Sequence, residues 1–310
     1  MNLLPFEIPP ALVTQASRGA AWADWLAQLP RHVADLAQEW ELTFDGPPWH
    51  GFTSLVVPVR GPSGPAALKV TFDGDEESLH EGIALQHWGG RGTVRLLRAD
   101  PHRRALLLEL LHTEDLTGLP ELEACEIVAA TYQRIHVPAL PQLRLLTSYL
   151  RGWNEGLGAL PYDGPMPRRL VEQAVSLANS FIADPASTGT MIHGDLHYEN
   201  VLAADREPWL VIDPKPMSGD PHYEVAPLLW NRWTEMNETG NLRKAIRGRF
   251  HTVVDIAGFD EDRARDWVVV RSLHNAFWTV DDARAMNRTI DTRGRDWITR
   301  MISVAKSVQE

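Results

Sequence analysis

The sequence predicts an α+β protein with two lobes, a small lobe built on a mixed β-sheet and a larger, mainly helical lobe. Apolar segments rich in β-branched residues recur between positions 52 and 111, and turn-forming residues such as Gly-Pro-Ser-Gly-Pro at 61–65 separate them. After position 112 the apolar residues return mostly at the three- and four-residue spacing of amphipathic helices. We therefore predict two domains, one of residues 1–111 and one of residues 112–310.

The predicted elements alternate in the first domain and are mostly helical in the second. Helical spacing covers 11–40 and 76–88 in the first domain, and strands are predicted at 52–60, 66–72, 93–99 and 105–111. Helices of the second domain are predicted at 120–137, 142–156, 167–183, 222–236, 240–257, 261–281 and 291–308. Between them, residues 190–214 contain two short apolar segments around a reverse turn at 203–208.

Composition and charge narrow the classes of partner. The chain has 310 residues, of which 44% are hydrophobic and 23% charged, as in ordinary globular proteins. Its formal net charge of −11 argues against nucleic acid, because neutralising phosphates needs clustered Lys and Arg. The same charge is compatible with a cationic small molecule, although it also simply favours solubility. Monomer and dimer both stay open.

The lack of a recognisable targeting signal and the single cysteine predict a cytoplasmic protein. No apolar run approaches the roughly 20 residues that cross a bilayer, so no membrane partner is expected. The first residues, MNLLPFEIPP, lack the basic segment of a secretory signal. The single cysteine, Cys125, cannot form an internal disulfide and lies in an apolar helical pattern, which predicts a buried structural thiol.

The segment 191–214, MIHGDLHYENVLAADREPWLVIDP, carries the strongest chemical signal. Asp195 precedes Asn200 by five positions, and Asp213 follows Asn200 by thirteen at the end of an apolar strand. Phosphoryl transfer requires one carboxylate that orients the attacking hydroxyl, and an amide and a second carboxylate that hold Mg²⁺ against the phosphates. The spacing H-x-D-x-x-x-x-N is also that of the protein-kinase catalytic loop, here with Gly194 in place of arginine.

Several segments of the chain together resemble a known family. HGDLHYEN, followed by WLVIDP and GDPHYE, resembles the Brenner-type loop of aminoglycoside and choline phosphotransferases. WHGFTSLVVPV at 49–59, LQHWGGRGTVRLLRAD at 85–100 and the run from REPWLVIDPKP to PLLWNRW at 206–233 accompany it. Jointly they resemble the streptomycin 6-kinase and hydroxyurea phosphotransferase family, within the aminoglycoside phosphotransferase superfamily, from about residue 8 to residue 285.

The resemblance implies a protein-kinase-like fold and transfer of the γ-phosphate of ATP to a hydroxyl group, with Mg²⁺ as the metal cofactor. Asp195 matches the catalytic aspartate that orients the acceptor hydroxyl, and Asn200 and Asp213 match the magnesium ligands. Lys69 matches the strand lysine that contacts the α- and β-phosphates, and Glu81 matches its ion-pair partner on the following helix.

The same resemblance implies two further parts of the nucleotide site. The stretch 108–111, which includes Glu109 and Leu111, matches the hinge whose backbone groups recognise adenine. In the phosphate-covering loop Gly51 lets the backbone approach phosphate closely, and Thr53 and Ser54 offer hydroxyl or amide donors. Members of the family usually carry more small residues in this loop, so the preference between ATP and GTP stays open.

Each of these residues also has a plainer interpretation. Asp195 and Asn200 belong to the residue types that form turns and helix caps. Lys69 fits a surface position, although it interrupts an apolar strand. Glu81 fits an exposed helical face, because several acidic residues precede it.

The acceptor site is less sharply defined by the sequence. His193 is expected to fix the loop backbone through a side-chain hydrogen bond. Asp220 either caps the next helix, with Pro221 at its first position, or belongs to the acceptor pocket. The helical lobe offers acidic and aromatic residues that would either bind a cationic acceptor or form solvated helix faces, namely Glu224, Glu235, Asp255, Trp230, Trp233, Trp278, Asp281 and Asp282.

The catalytic segment predicts a small-molecule kinase, and the resemblance implies a role in antibiotic resistance or detoxification. The acceptor that the resemblance implies is an aminoglycoside such as streptomycin, at its 6-hydroxyl, or hydroxyurea. Two alternatives stay open: a kinase of another hydroxylated metabolite, such as a sugar or an amino alcohol, and a non-catalytic nucleotide-binding relative.

Overall fold

The computed structural model describes residues 3–309, and these divide into two compact units. The first unit contains the described residues up to Thr113 together with Ala203–Lys215. The second unit contains Glu114–Leu202 and the described residues from Pro216 onward. The first is built around a β-sheet and the second is mainly helical, as the sequence predicts.

The regular elements follow the predicted order, with shifted ends. The helices are α1 (Pro10–Val13), α2 (Ala20–Glu39), α3 (Glu81–Trp88), α4 (Glu121–Ile135), α5 (Leu146–Gly158), α6 (Arg168–Ala183), α7 (Ala226–Trp230), α8 (Trp233–Glu238), α9 (Leu242–Ala257), α10 (Glu261–Ala285) and α11 (Thr292–Ser307). The strands are β1 (Thr43–Phe44), β2 (Trp49–His50), β3 (Ser54–Gly61), β4 (Gly64–Thr71), β5 (Leu96–Asp100), β6 (Ala105–Glu109), β7 (Val137–Pro138), β8 (Arg144–Leu145), β9 (Thr190–Ile192), β10 (Val201–Ala203), β11 (Trp209–Val211) and β12 (Met217–Gly219). The helix predicted at 222–236 is divided, because Arg232 between α7 and α8 adopts a left-handed backbone with φ of 52°.

The division between the units differs from the predicted boundary at 111/112 in one segment. Residues 203–215 belong with the first unit, although the sequence placed them in the second domain. Backbone hydrogen bonds explain this difference. The N–H of His112 donates to Ala203 O at 3.0 Å, and the N–H of Val94 donates to Val211 O at 2.8 Å.

The sheet of the first unit has the strand order β1-β3-β4-β6-β5, and β2 pairs with β3 outside this order. Its ladders are antiparallel. β3 and β4 form a hairpin that pairs Ser54 with Thr71 at one end and Gly61 with Gly64 at its turn. An isolated parallel bridge between Thr93 and Val211 lies outside these strands, so the sheet itself is antiparallel where the sequence predicts a mixed one.

Helix α2 contributes an apolar face to the core of the first unit. The buried residues of this face recur at the three- and four-residue spacing of a helix: Trp22, Trp25, Leu29, Val33 and Leu36. They share one cluster with sheet residues such as Leu55 and Val70, and Trp22 stacks on Phe72 with ring centroids 3.9 Å apart. Each large apolar side chain buried in this way contributes about 1.5–3 kcal/mol, which anchors the helix although Pro30 lies inside it.

The core of the second unit is formed by α5, α6 and α10. Phe181 stacks on Trp267 with ring centroids 3.9 Å apart, and Leu146, Leu150 and Val270 belong to the same cluster. A four-stranded sheet with the order β7-β9-β12-β8 lies in this unit. Within residues 3–309, no helix has the length and apolar character that a membrane span requires.

One buried histidine of α10 makes the stability of the second unit depend on pH. His274 is 7% exposed, and its Nε2 has no hydrogen-bond partner in the described structure. Burial lowers the pKa of His274 from 6.5 to about 3. Below pH 6.5 the unfolded chain therefore binds a proton that the folded protein does not, so stability falls as the pH falls from 6.5 towards 3.

We expect His274→Gln to flatten the acid side of the stability profile. In the wild type this group contributes a loss of about 1.4 kcal/mol per pH unit below its unfolded pKa, or about 2–3 kcal/mol by pH 4.5. Urea unfolding at several pH values between about 4.5 and 7.5 measures the slope. The exposed His102→Gln is the control and should keep the wild-type slope. Equal slopes for wild type and His274→Gln would show that His274 does not titrate in this way.

Candidate active site

Two predicted site residues meet around the buried amine of a third, Lys69 on β4. Its Nζ lies 2.7 Å from both carboxylate oxygens of Glu81 on α3 and 2.5 Å from Oδ1 of Asp213. The side chains of Lys69 and Glu81 are 5% and 3% exposed, whereas that of Asp213 is 32% exposed. The interpretations of Lys69 as a surface lysine and of Glu81 as an exposed helical residue are therefore wrong. We call these three residues the Lys69–Glu81–Asp213 group.

The charges of this group are set by burial and by mutual attraction. Burial opposes the charge on Lys69, but Asp213 and Glu81 outweigh it and raise the pKa of the amine. Burial likewise opposes the charge on Asp213, yet Lys69 and Lys215 hold the pKa of this carboxyl well below its usual range. Burial raises the pKa of Glu81 despite the nearby amine of Lys69. At neutral pH the group thus contains a lysine cation and an ionised Asp213.

The backbone at Asp213 is strained. The residue follows β11 closely and has a φ of 55°, in the left-handed region that non-glycine residues seldom adopt. Pro214 comes next and itself disfavours helical conformations at the preceding residue. Such positions cost about 1–3 kcal/mol and cluster at functional sites, where surrounding contacts hold them.

The predicted phosphate-covering loop is the tight turn between β2 and β3. The N–H of Gly51 donates to Ser54 O at 2.9 Å, and a Cβ at position 51 would lie 2.9 Å from Ser54 Oγ. Thr53 Oγ1 donates to Asp75 Oδ2 at 2.7 Å, and Thr53 O accepts from the N–H of Phe72 at 2.8 Å. The hydroxyl hydrogen of Thr53 therefore points at a carboxylate, and Ser54 is buried within β3.

The predicted adenine hinge lies where β6 ends. Glu109 is the last residue of β6, and Leu111 follows in an irregular, partly buried segment. The Glu109 carboxylate accepts from Arg206 Nε at 2.9 and 3.1 Å. Arg206 also donates to the backbone oxygens of Gly90 at 2.8 Å and Thr93 at 2.5 Å. Arg206 thereby links the turn after β10 to the end of β6, where the predicted hinge begins.

The second unit contains the predicted catalytic loop between β9 and β10. Asn200 Nδ2 donates to the backbone oxygen of Asp195 at 2.8 Å, so the structure brings these two residues together. The N–H of Asp195 donates to His193 Nδ1 at 3.2 Å, which agrees with the role expected for His193. Gly194 has a φ of 84°, a conformation that glycine adopts without penalty.

Two buried charged residues hold the backbone of this loop. The Glu224 carboxylate accepts from the N–H of Gly194 at 2.7 Å and from the N–H of His193 at 3.1 Å. His136 Nε2 lies 2.9 Å from the same carboxylate. Arg271 on α10 donates to Gly194 O at 2.5 Å and to Tyr223 O at 2.8 Å. The irregular loop backbone is thus satisfied by side chains rather than by regular strand pairing.

These contacts show the structural roles of two acidic residues, Glu224 and Asp220, whose roles the sequence left open. Glu224 is fully buried and bound to the catalytic loop, so it does not serve as an acceptor-binding carboxylate. Burial opposes its charge, but His136 and His193 lower its pKa. Asp220 accepts from the N–H of His222 and from Trp267 Nε1, and it caps the short helix that begins at Pro221. Its capping role is the one that the structure shows.

Each unit offers one of the oxygen donors predicted for magnesium. Asp213 in the first unit carries an ionised carboxylate, and Asn200 in the second unit can offer its amide oxygen, because its Nδ2 donates to Asp195. Mg²⁺ prefers such hard oxygens and fills its remaining positions with phosphate oxygens and water. Within residues 3–309, no cluster of three His, Cys, Asp or Glu side chains forms a metal site of its own.

Sequence reasoning missed several residues that shape both groups. Arg271 directly follows the apolar run 267–270 within a helix, which is the signal of a buried charge with a dedicated partner. Asp75 is one of the acidic residues that precede Glu81, and its sequence context gives it no separate signal. Arg206 lies in a reverse turn, where arginine carries no signal in the sequence. Lys215 belongs to the motif itself, two residues after Asp213.

Comparison with known proteins identifies the relatives of the chain. The family model described as aminoglycoside/hydroxyurea antibiotic resistance kinase matches residues 39–283. A hydroxyurea phosphotransferase from Kitasatospora aureofaciens is 39% identical over 288 residues, which cover 89% of this chain and 81% of the relative. A streptomycin 6-kinase from Streptomyces griseus is 37% identical over 291 residues, which cover 89% of this chain and 92% of the relative. The resemblance found in the sequence is confirmed.

Solved structures of kinases share the fold at low sequence identity. A spectinomycin phosphotransferase, solved with ADP and spectinomycin, has a TM-score of 0.56 and 14% identity, covering 86% of this chain and 93% of that chain. A choline kinase from Streptococcus pneumoniae has a TM-score of 0.60 and 13% identity, covering 92% of this chain and 99% of that chain. The predicted protein-kinase-like fold is confirmed.

We expect Glu224→Gln to disorder the catalytic loop. An amide cannot accept hydrogen bonds with both of its heavy atoms, so at least one of the loop amides at His193 and Gly194 would lose its acceptor. A buried donor without a partner costs about 1–3 kcal/mol. Urea unfolding should therefore show a loss of this size, and turnover should fall with it. The exposed Glu238→Gln serves as the control. Unchanged stability and turnover in Glu224→Gln would contradict the role given to Glu224.

Proposed function

Because the chain belongs to the aminoglycoside/hydroxyurea antibiotic resistance kinase family, we propose that it transfers the γ-phosphate of ATP to a hydroxyl group of a small molecule. The acceptor is an aminoglycoside of the streptomycin type or hydroxyurea, and the reaction inactivates the compound. The observation that carries the proposal is the Lys69–Glu81–Asp213 group, in which a buried amine is bound by a buried glutamate and a partly exposed aspartate.

The residues of the first unit would bind the nucleotide. Lys69 is a point charge for the α- and β-phosphates, and Glu81 fixes its position so that little entropy is lost on binding. The turn formed by Gly51, Thr53 and Ser54 would let its backbone approach the phosphates, because Gly51 lacks a Cβ, although the N–H of Gly51 and the hydroxyl of Thr53 are already bound within the first unit. The backbone of Glu109 and Leu111 offers hydrogen bonds to adenine beyond the end of β6. Asp213 and Asn200 would hold Mg²⁺, which neutralises phosphate charge when it is bound.

Asp195 is the group that acts on the acceptor. Its carboxylate orients the attacking hydroxyl and accepts its proton as the oxygen attacks the γ-phosphorus in line with the leaving ADP. The hydrogen bonds of Glu224, Arg271 and Asn200 to the loop backbone keep this carboxylate in place. Transfer is direct, so the mechanism needs no phosphoenzyme.

The choice of acceptor rests on the relatives and on charge. One relative is named for streptomycin and another for hydroxyurea, at 37% and 39% identity, so identity alone does not separate the two. A formal net charge of −11 favours a cationic acceptor over a neutral one through long-range attraction. We therefore put the aminoglycoside first.

The kinase reaction is tested with Asp195→Asn, which keeps the shape of the side chain and removes its charge. We expect kcat to fall by about 10²–10⁴, the range that a positioned general base contributes. The dissociation constant for MgATP should change little. Asp24→Asn, an exposed position on α2, is the matched control. Turnover within about tenfold of wild type in Asp195→Asn would rule out the role of Asp195.

The acceptor is tested by coupled ADP release across streptomycin, other aminoglycosides, hydroxyurea, sugars and amino alcohols. We expect ADP release to depend on streptomycin and to leave a phosphorylated product that mass spectrometry detects. Release with a sugar or an amino alcohol alone would identify a different metabolite kinase. Tight MgATP binding without release for any acceptor would identify a non-catalytic nucleotide-binding relative.

A further inference from the structure

A second lysine reaches the carboxylate of Asp213. The chain has only four lysines among its 30 Lys and Arg residues, and two of them meet at Oδ1 of Asp213. Lys69 Nζ lies 2.5 Å from this oxygen and Lys215 Nζ lies 3.3 Å from it. The Lys215 side chain is 16% exposed, so its amine is largely buried yet not sealed from solvent.

Lys215 is also held from its other side. Its Nζ lies 3.8 Å from Oδ2 of Asp75, whose side chain is 7% exposed. The Asp75 carboxylate accepts from Thr53 Oγ1 at 2.7 Å and from Ser78 Oγ at 2.8 Å, so it is fixed in place. Arg104 donates to Ser78 Oγ at 2.9 Å and to the backbone oxygen of Asp75 at 2.5 Å. Hydrogen bonds and an ion pair of Asp75 thus connect Lys215 to the phosphate-covering turn.

The ion pair between Lys69 and Asp213 does not by itself require the amine of Lys215. Asp213 already pairs with Lys69, and a second ammonium group at the same oxygen repels the first. A polyanionic ligand removes this repulsion, because it shares its charge with both amines. Lysine is suited to the task, since its ammonium group has three donors and can keep a carboxylate contact while it binds phosphate.

We propose that Lys215 is a second phosphate-binding cation of the nucleotide site, directed at the β- and γ-phosphates, and that Asp75 is its positioning residue. The inference rests on the proposed function, because it takes Lys69 and Asp213 as the nucleotide-binding group. It adds a charged donor to a phosphate site whose covering turn is poor in glycine.

The reaction shows where such a cation acts. The bond between the γ-phosphorus and the β–γ bridging oxygen breaks, and a bond between the γ-phosphorus and the acceptor oxygen forms. The electron pair of the broken bond stays on the bridging oxygen, and the acceptor proton passes to Asp195. Negative charge builds on the β-phosphate of ADP, and Lys215 neutralises it there.

The first test compares Lys215→Met with the wild type by calorimetric titration of MgATP and of AMP. We expect the affinity for MgATP to fall about 10- to 100-fold, the effect of losing one charge-assisted hydrogen bond, while the affinity for AMP stays unchanged. The kcat should also fall at least tenfold. Lys244→Met, an exposed lysine on α9, is the matched control and should match the wild type in both.

Three outcomes would overturn the assignment of Lys215. One is MgATP affinity and turnover within about twofold of the wild type. Another is a lower unfolding temperature with unchanged nucleotide binding, which marks a purely structural ion pair. The last is a change in the Mg²⁺ requirement alone, which marks competition with the metal. A wild-type protein that does not bind MgATP would instead refute the proposed function itself, so the two failures are distinguishable.

The positioning role of Asp75 is tested by a double-mutant cycle. Asp75→Asn should weaken MgATP binding in the wild type about three- to tenfold, because it loosens Lys215. In the Lys215→Met background its effect should be much smaller, since only the bond between Asp75 and Thr53 is then left to act on the turn. A structural role of Asp75 would instead give the same loss of affinity in both backgrounds. That result would refute the link between Asp75 and Lys215.

Discussion

A buried amine in the middle of a β-sheet is the constraint on which the first unit depends. Removing an ammonium group from water costs several kcal/mol, and only well-placed carboxylates offset it. Glu81 must therefore stand at the first turn of α3, and Asp213 must stand just beyond the end of β11. Removing either carboxylate would leave an incompletely compensated buried charge, which costs about 3–5 kcal/mol in comparable pairs. Strand, helix and hairpin are thus placed relative to Lys69 by electrostatics as well as by apolar packing.

The second unit uses buried charge for a different purpose. Its catalytic loop is irregular, so its amides and carbonyls have no regular strand partners. The carboxylate of Glu224 accepts hydrogen bonds from two of the loop amides, and Arg271 donates to the carbonyl of Gly194. Side chains buried deep in the helical core thereby fix the backbone that carries Asp195. In both units the buried charged residues position chemical groups, whereas the apolar cores supply most of the stability.

Local patterns explain which parts of the structure were predictable. The spacing of Trp22 and Leu29 predicts α2, and a lysine inside an apolar strand predicts a buried partner for Lys69. The spacing between Asp195 and Asn200 predicts the catalytic loop. Long-range pairings leave no such trace in the sequence. The sequence therefore left Glu224 open between the acceptor site and a solvated helix face, and it gave no role to Arg206. The interruption between α7 and α8 was missed for a related reason, since Arg232 takes a left-handed backbone that its residue type does not signal.

The left-handed backbone of Asp213 limits which residues this position can accept. Asn and Asp tolerate that conformation best among residues with side chains, whereas β-branched residues do so at high cost. A substitution that lets the backbone relax would also move Lys215, which is only two peptide units away. Replacement by alanine at 213 therefore changes geometry and charge together, while asparagine changes the charge with the least disturbance. Interpreting any loss of function at this position depends on that distinction.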